Sequence, residues 1–115
     1  MEKRRFSRII YKNKAIINNQ QNEVEATIKD LSLKSIYIES NLSIKINDII
    51  SISIPLTDEI TINAIGHILR VESNGFVVII DEIDIDSFMF LKNLIAYNIG
   101  DLESINKEFL ENINK

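Results

Sequence analysis

Residues 48–72, DIISISIPLTDEITINAIGHILRVE, decide the fold. Isoleucines alternate with serines over residues 50–54, and after a polar turn at residues 55–59 the alternation of apolar and polar side chains resumes over residues 60–64. A period of two residues is typical of a strand with one buried face, so this stretch predicts an antiparallel β-hairpin. Gly66 interrupts the second strand and predicts a bulge or bend of the kind that closes barrels.

The rest of the first 83 residues continues this β pattern. Two β-branched runs, residues 8–18 and 23–30, are separated by the polar turn NNQQN and predict a first hairpin. The segments SIYIES (residues 35–40) and GFVVIID (residues 75–81) predict two further strands. Six strands with mostly short antiparallel connections predict a mainly β protein, a six-stranded antiparallel β-barrel, rather than a sheet crossed over by helices.

The period changes at Asp84, after which apolar residues recur at spacings of three and four over residues 88–95. This spacing predicts an amphipathic helix with Asp84 or Asp86 as its N-cap. Gly100 is a candidate C-cap, and Asp101 is a candidate N-cap for a second helix. The apolar stripe of that second helix either packs on the barrel or offers a surface to a partner or to a second copy.

Length and composition predict a single domain over residues 1–115, since a chain with 45% apolar residues can bury one core. We divide it into a flexible basic N-terminal arm (1–8), a β-barrel (9–83) and a C-terminal helical segment (84–115). The chain has no cysteine, which excludes disulfides and thiolate metal sites. The first residues are charged where a signal peptide would need its apolar region, and no run approaches about 18 consecutive apolar residues, so we expect a cytoplasmic protein without a membrane span.

The charge is unevenly distributed along the chain. Six lysines and arginines against Glu2 give the first 14 residues a charge of about +5, whereas the whole chain carries −4, which leaves about −9 in the remainder. An acidic body repels a long nucleic acid, which is usually bound by cations spread over one face. The pattern therefore favours a small anion as the ligand of the segment EKRRFSR (residues 2–8).

Catalytic patterns are scarce. His67 is the only histidine and lies on a predicted strand, where we expect a structural or surface role. The carboxylates of DEIDID (residues 81–86) are typical of a helix N-terminus, so we expect no metal site there. The three glycines are isolated and form no phosphate-binding loop. We therefore expect a protein that is not an enzyme and that uses no cofactor.

The segment DLSLKS (residues 30–35) precedes the third predicted strand, and on its own it is typical of a turn held by side-chain oxygens. Together with RRFSR (residues 4–8) it resembles the signature of the PilZ domain family, an Arg-x-x-x-Arg motif followed by Asp/Asn-x-Ser-x-x-Gly. The later segments GHILRVESNGFVVIIDEID (66–84) and DSFMFLKNLIAYN (86–98) are similar to the hairpin and the closing helix of that family. The resemblance covers nearly the whole chain.

The resemblance implies binding of cyclic di-GMP, a bacterial second messenger with two guanines and two phosphates. Arg4 and Arg8 match the arginines of the first motif, and a guanidinium can hydrogen-bond a phosphate or guanine and stack on a base. Asp30 and Ser32 match the second motif, in which the carboxylate accepts from guanine N–H groups and the hydroxyl completes the base contact.

Three further positions complete the predicted ligand site. Arg5 lies between the motif arginines and adds positive field, and Lys3 adds a cation that can help to hold a second stacked ligand. Ser35 stands where the family has glycine. Its side chain is expected to crowd the base or, if φ is positive, to strain the turn by about 1 kcal/mol.

The resemblance also implies a function without chemistry of its own. Closure of the arginine arm over cyclic di-GMP would relay the signal to an unidentified protein effector. The alternative is a degenerate PilZ domain that does not bind cyclic di-GMP and acts as a protein–protein interaction module. The sequence leaves open whether one or two ligands bind, and whether the protein is a monomer or a homodimer.

Overall fold

The structure, a computed structural model, describes residues 8–99, except for the side chain of Ile99. Six strands precede one helix, and these elements are β1 (Ile9–Asn18), β2 (Glu23–Leu31), β3 (Ser35–Glu39), β4 (Ile49–Pro55), β5 (Thr61–Glu72), β6 (Gly75–Ile83) and α1 (Ile85–Ile99). The predicted second helix and the candidate C-cap Gly100 lie outside the described residues, as do residues 1–7 of the predicted arm.

The six strands form a closed barrel in the order β1-β2-β3-β6-β5-β4, and β4 pairs with β1 to close it. Every pairing is antiparallel. The predicted fold class, a six-stranded antiparallel barrel with a C-terminal helix, is therefore confirmed. The connection from β3 crosses to β4 on the far side of the barrel, so β6 rather than β4 becomes the neighbour of β3.

Isoleucines that the period-two pattern placed on one face fill the interior of the barrel. In β4, Ile50 and Ile52 are almost completely buried, as are Ile36 and Ile38 in β3. Burial of each such side chain contributes about 1.5–3 kcal/mol, so the alternation supplies much of the energy that holds the barrel together. Side chains between them face outward, and this outer surface carries the site described below.

Helix α1 is held at its first turn by paired polar contacts. Of the two predicted caps, Asp84 is the one used, because its carboxylate accepts a hydrogen bond from the backbone N–H of Ser87 at 2.9 Å. Hydrogen bonds from the Ser87 side chain and backbone lower the pKa of Asp84. The Ser87 hydroxyl also accepts from the backbone N–H of Asn63 in β5, and Leu91 and Ile95 enter the core. The helix is thereby fixed against β5.

The predicted irregularity at Gly66 is present, because the register of β5 against β6 shifts between Ile65 and Gly66. A Cβ at Gly66 would lie 2.2 Å from the backbone oxygen of Ile79 and 2.6 Å from a methyl group of Val78. Only glycine allows so close an approach of the two strands.

Two further bulges, which the sequence did not predict, lie immediately before Asp30 along β2. The register of β1 against β2 shifts between Ile10 and Asn13, and that of β2 against β3 shifts between Ile28 and Asp30. A bulge bends its strand and redirects nearby side chains. These irregularities lie where the two candidate binding motifs meet.

Candidate functional site

The two sequence motifs become neighbours because β1 and β2 pair in an antiparallel register. Ile9 lies opposite Leu31 and Ile10 lies opposite Asp30, so the start of β1 adjoins the end of β2. Arg8 immediately precedes β1, and its Nε atom is 3.4 Å from Oδ1 of Asp30. The structure thus brings together one candidate residue from each motif.

The Arg8–Asp30 ion pair is loose and partly exposed. The side chains are 27% and 21% exposed, and 3.4 Å is longer than the 2.7–2.9 Å of a strong charge-assisted hydrogen bond. Pairs of this kind contribute only about 0–1 kcal/mol to stability because water competes for both charges. Both groups can therefore exchange this contact for a polar ligand at low cost.

Ser32 organises the turn that joins β2 to β3. Its hydroxyl oxygen accepts hydrogen bonds from the backbone N–H groups of Lys34 at 3.1 Å and Ser35 at 3.0 Å, and its own N–H donates to the Ser35 carbonyl at 2.9 Å. The residue is only 4% exposed. In the structure Ser32 acts as a turn residue beside Asp30, and its contact with a base stays a prediction.

Ser35 does not have the backbone conformation that would have strained it. Within residues 8–99, the non-glycine residues with positive φ are Gln20 and Asn47, so Ser35 adopts an ordinary φ at the start of β3. Its hydroxyl lies 3.3 Å from that of Ser32. Because the strain is absent, crowding of a ligand is the remaining way in which this serine can affect binding.

A polar cluster that the sequence did not predict extends the surface beyond Asp30. Asp30 lies opposite Tyr37, Tyr37 opposite Val77 and Val77 opposite Arg70, in one row across β2, β3, β6 and β5. Glu72 accepts a hydrogen bond from Nε of Arg70 at 3.2 Å. Burial raises the pKa of Tyr37, and the charge of Glu72 and a hydrogen bond to it raise this pKa further.

The sequence signal for this cluster was incomplete. The alternation in SIYIES placed Tyr37 on the outer face, and the hairpin predicted over residues 66–84 pairs β5 with β6, but no pattern showed that β3 would pair with β6. Distant residues such as Glu72 therefore could not be assigned to the surroundings of Asp30.

The other residues that the sequence singled out are either outside the described residues or take part in other contacts. Lys3, Arg4 and Arg5 are outside the described residues, so their roles stay predictions. His67 Nδ1 lies 2.8 Å from Oδ2 of Asp81, within hydrogen-bond distance, and both side chains are partly exposed. Across residues 8–99, no three His, Cys, Asp or Glu side chains are arranged to hold a metal ion.

Comparison with known families bears directly on this geometry. The sequence profile of the PilZ domain matches residues 2–97, which include both motifs and every strand of the barrel. The chain belongs to the PilZ family. PilZ domains are binding and regulatory modules, and the family is one of cyclic di-GMP receptors.

Solved structures of PilZ proteins share the fold. The inhibitor of motility MotI/DgrA from Bacillus subtilis superposes with a TM-score of 0.72 at 16% sequence identity, over 84% of this chain and 51% of that one. The PilZ domain of CeSA from a cellulose-synthesizing bacterium gives a TM-score of 0.61 at 15% identity, over 82% of this chain and 96% of that domain. This PilZ chain thus spans about half the length of MotI/DgrA.

Two further findings are negative. No curated protein matches the sequence significantly. Among residues 8–99, the PilZ chain has no helix that is long and apolar enough to cross a bilayer.

Proposed function

We propose that this PilZ domain binds cyclic di-GMP at the surface where β1 and β2 meet. The observation that carries the proposal is the contact between Arg8 and Asp30, which joins the two family motifs in space. A cationic guanidinium beside a carboxylate matches the ligand, because cyclic di-GMP presents phosphate oxygens to the cation and guanine N–H donors to the anion.

Binding would require Arg8 and Asp30 to give up their contact with each other and to contact the ligand instead. The guanidinium of Arg8 would leave a single oxygen at 3.4 Å for phosphate oxygens or for the O6 and N7 atoms of guanine. Asp30 would accept from guanine N1 and N2, for which its two oxygens provide enough acceptors. The Ser32 turn supports this exchange by fixing the backbone directly after β2.

The basic N-terminal segment supplies the other half of the proposed site. Because the barrel surface around Asp30 lies on the outside of a closed sheet, a ligand there needs groups that cover it from the solvent side. Arg4 would be the second guanidinium contact, Arg5 would strengthen the field, and Lys3 would help to hold a second ligand copy. Closure of this segment over the ligand would change the surface that a protein effector contacts.

One observation favours the alternative, a PilZ domain that has lost the ligand and serves as an interaction module. Ser35 occupies the glycine position, and its hydroxyl adjoins that of Ser32 at the edge of the proposed site. In either case the domain would act by binding rather than by catalysis.

Isothermal titration calorimetry with cyclic di-GMP tests the proposed function. GTP and linear pGpG are the controls, since they carry guanine and phosphate without the compact cyclic shape. We expect binding of cyclic di-GMP with a dissociation constant of about 1–10 µM or tighter, weaker binding of both controls, and a stoichiometry that distinguishes one ligand from two. An absence of binding heat at several temperatures, supported by unchanged NMR spectra, would favour the interaction module.

A further inference from the structure

An exposed isoleucine lies beside the Arg8–Asp30 pair on the outer surface of the barrel. Ile10 is 81% exposed, and the register of β1 against β2 places it directly opposite Asp30. Side chains at such opposite positions have their Cβ atoms about 4.5–5.5 Å apart. Ile9 is buried in the core, so the side chains of Arg8 and Ile10 on either side of it both face outward. A cation, an apolar side chain and a carboxylate thus lie next to one another.

The neighbour of Asp30 on its other side, Tyr37, is directed away from it. Tyr37 lies on β3, and its side chain hydrogen-bonds Glu72 on β5. Because β6 lies between β3 and β5, the tyrosine side chain reaches across β6, away from β2. Val77 lies opposite Tyr37 on β6 and is only 3% exposed, as expected if this side chain covers it. The neighbour that offers free apolar surface beside Asp30 is therefore Ile10.

We propose that Ile10 supports the flat face of the guanine whose edge Asp30 binds. This inference rests on the proposed function, which places a guanine at Asp30. A guanine presents N–H donors at N1 and N2, acceptors at O6 and N7, and an aromatic face on which other groups can pack. The three outward side chains match these features, since Asp30 accepts, Arg8 donates and Ile10 offers an apolar surface.

The contact with Ile10 would favour ligands that carry a base. Exchange of the exposed ion pair for polar contacts with a ligand gives little net gain, because water competes for both charges. Covering a largely exposed isoleucine adds a hydrophobic contribution that does not depend on charge. The β-branched side chain also has few rotamers to lose when it is covered. Inorganic phosphate has no face to place on Ile10 and gains nothing from it.

Calorimetric titration of cyclic di-GMP into the full-length wild type, Ile10→Ser and Ile85→Ser tests the proposal. Ile85 is the matched control, because it is also 81% exposed but lies at the start of α1, after the end of β6. We expect Ile10→Ser to weaken binding about five- to tenfold and Ile85→Ser to change it less than about twofold. Both variants should keep the Tm of the ligand-free protein within about 3 °C of the wild type, since neither side chain is buried.

A fluorescence measurement reports on the contact itself. The chain contains no tryptophan, so an indole introduced by Ile10→Trp is the only one present. We expect cyclic di-GMP to quench its fluorescence, because a stacked guanine exchanges an electron with the excited indole. Binding should be at least as tight as in the wild type, since the indole offers a larger aromatic face. Ile85→Trp is the control, and its fluorescence should not change on titration.

The possible outcomes distinguish a failure of this inference from a failure of the proposed function. If the wild type does not bind cyclic di-GMP, the proposed function fails and the role of Ile10 fails with it. If the wild type binds but Ile10→Ser has the same affinity, or the fluorescence of Ile10→Trp is unchanged at saturation, only the role of Ile10 is overturned. A Tm of ligand-free Ile10→Ser well below that of the wild type would also overturn it, because Ile10 would then be covered within the protein itself.

Discussion

At the residue scale, the pairing of Arg8 with Asp30 determines which hydrogen-bonding and charged groups a ligand needs in order to bind there. Each side chain already has an oppositely charged partner, so binding replaces one contact by another instead of satisfying a free charge. A simple anion can replace Asp30 as the partner of Arg8, but it offers no hydrogen-bond donor to the Asp30 carboxylate. We therefore expect the proposed site to select a ligand that combines phosphate oxygens with guanine donors, because such a ligand can satisfy both groups.

Ser35→Gly tests whether the serine crowds the ligand. Since Ser35 has no positive φ, the substitution relieves no backbone strain, and any gain has to come from the space vacated by the side chain. We expect cyclic di-GMP to bind about threefold more tightly, less than 1 kcal/mol, as measured by calorimetry. Ser43→Gly, an exposed loop position, is the control for the loss of a serine side chain. An affinity for Ser35→Gly that is equal to or lower than that of the wild type would show that the serine is accommodated.

At the scale of the strands and helix, the close approach of β5 and β6 at Gly66 determines how the barrel curves. We expect Gly66→Ala to lower the free energy of unfolding by about 1–3 kcal/mol, because the added methyl group would overlap the backbone of β6. Urea denaturation measures this change. Ser51→Ala on the neighbouring strand is the control and should stay within about 0.5 kcal/mol of the wild type. If Gly66→Ala proves as stable as wild type, the strands are not held as closely as the structure shows.

Element boundaries were largely predictable because side-chain period is a local property. A period of two, or an apolar and β-branched run between polar turns, identified all six strands, and the shift to spacings of three and four at Asp84 identified α1 and two candidate caps, of which Asp84 is the one used. The bulges beside Asp30 were not predictable, since neither contains a glycine and both arise from how neighbouring strands fit together. They nevertheless lie at the candidate site and help to determine how its side chains are directed.

At the scale of the whole molecule, strand order was the information that the sequence lacked. Alternation shows which face of a strand is buried but not which strand lies next to it, so the closure of β1 on β4 and the pairing of β3 with β6 emerge only in the fold. The family resemblance identified Arg8 and Asp30 as candidates, and the structure brings them together. The neighbours of Asp30 on β3 and beyond, such as Tyr37 and Glu72, required the three-dimensional arrangement.

The distribution of charge over the molecule is consistent with a receptor for a small anion. Positive charge is concentrated in the first 14 residues, and the remaining chain is acidic. An acidic body discourages long nucleic acids, whereas the basic residues that precede Arg8 in the sequence are expected to attract a compact phosphate ligand.

Calorimetric titration of cyclic di-GMP into Arg8→Ala and wild type, side by side, tests the central claim most directly. Lys14→Ala is the control, because it removes a cation of β1 that pairs with Glu25 instead of Asp30. We predict that Arg8→Ala weakens binding at least about thirtyfold, roughly 2 kcal/mol, while Lys14→Ala changes it less than about twofold. Both variants should retain the wild-type circular dichroism spectrum. Binding by Arg8→Ala with wild-type affinity would contradict the account, because the ligand would then not depend on the pair that joins the two motifs.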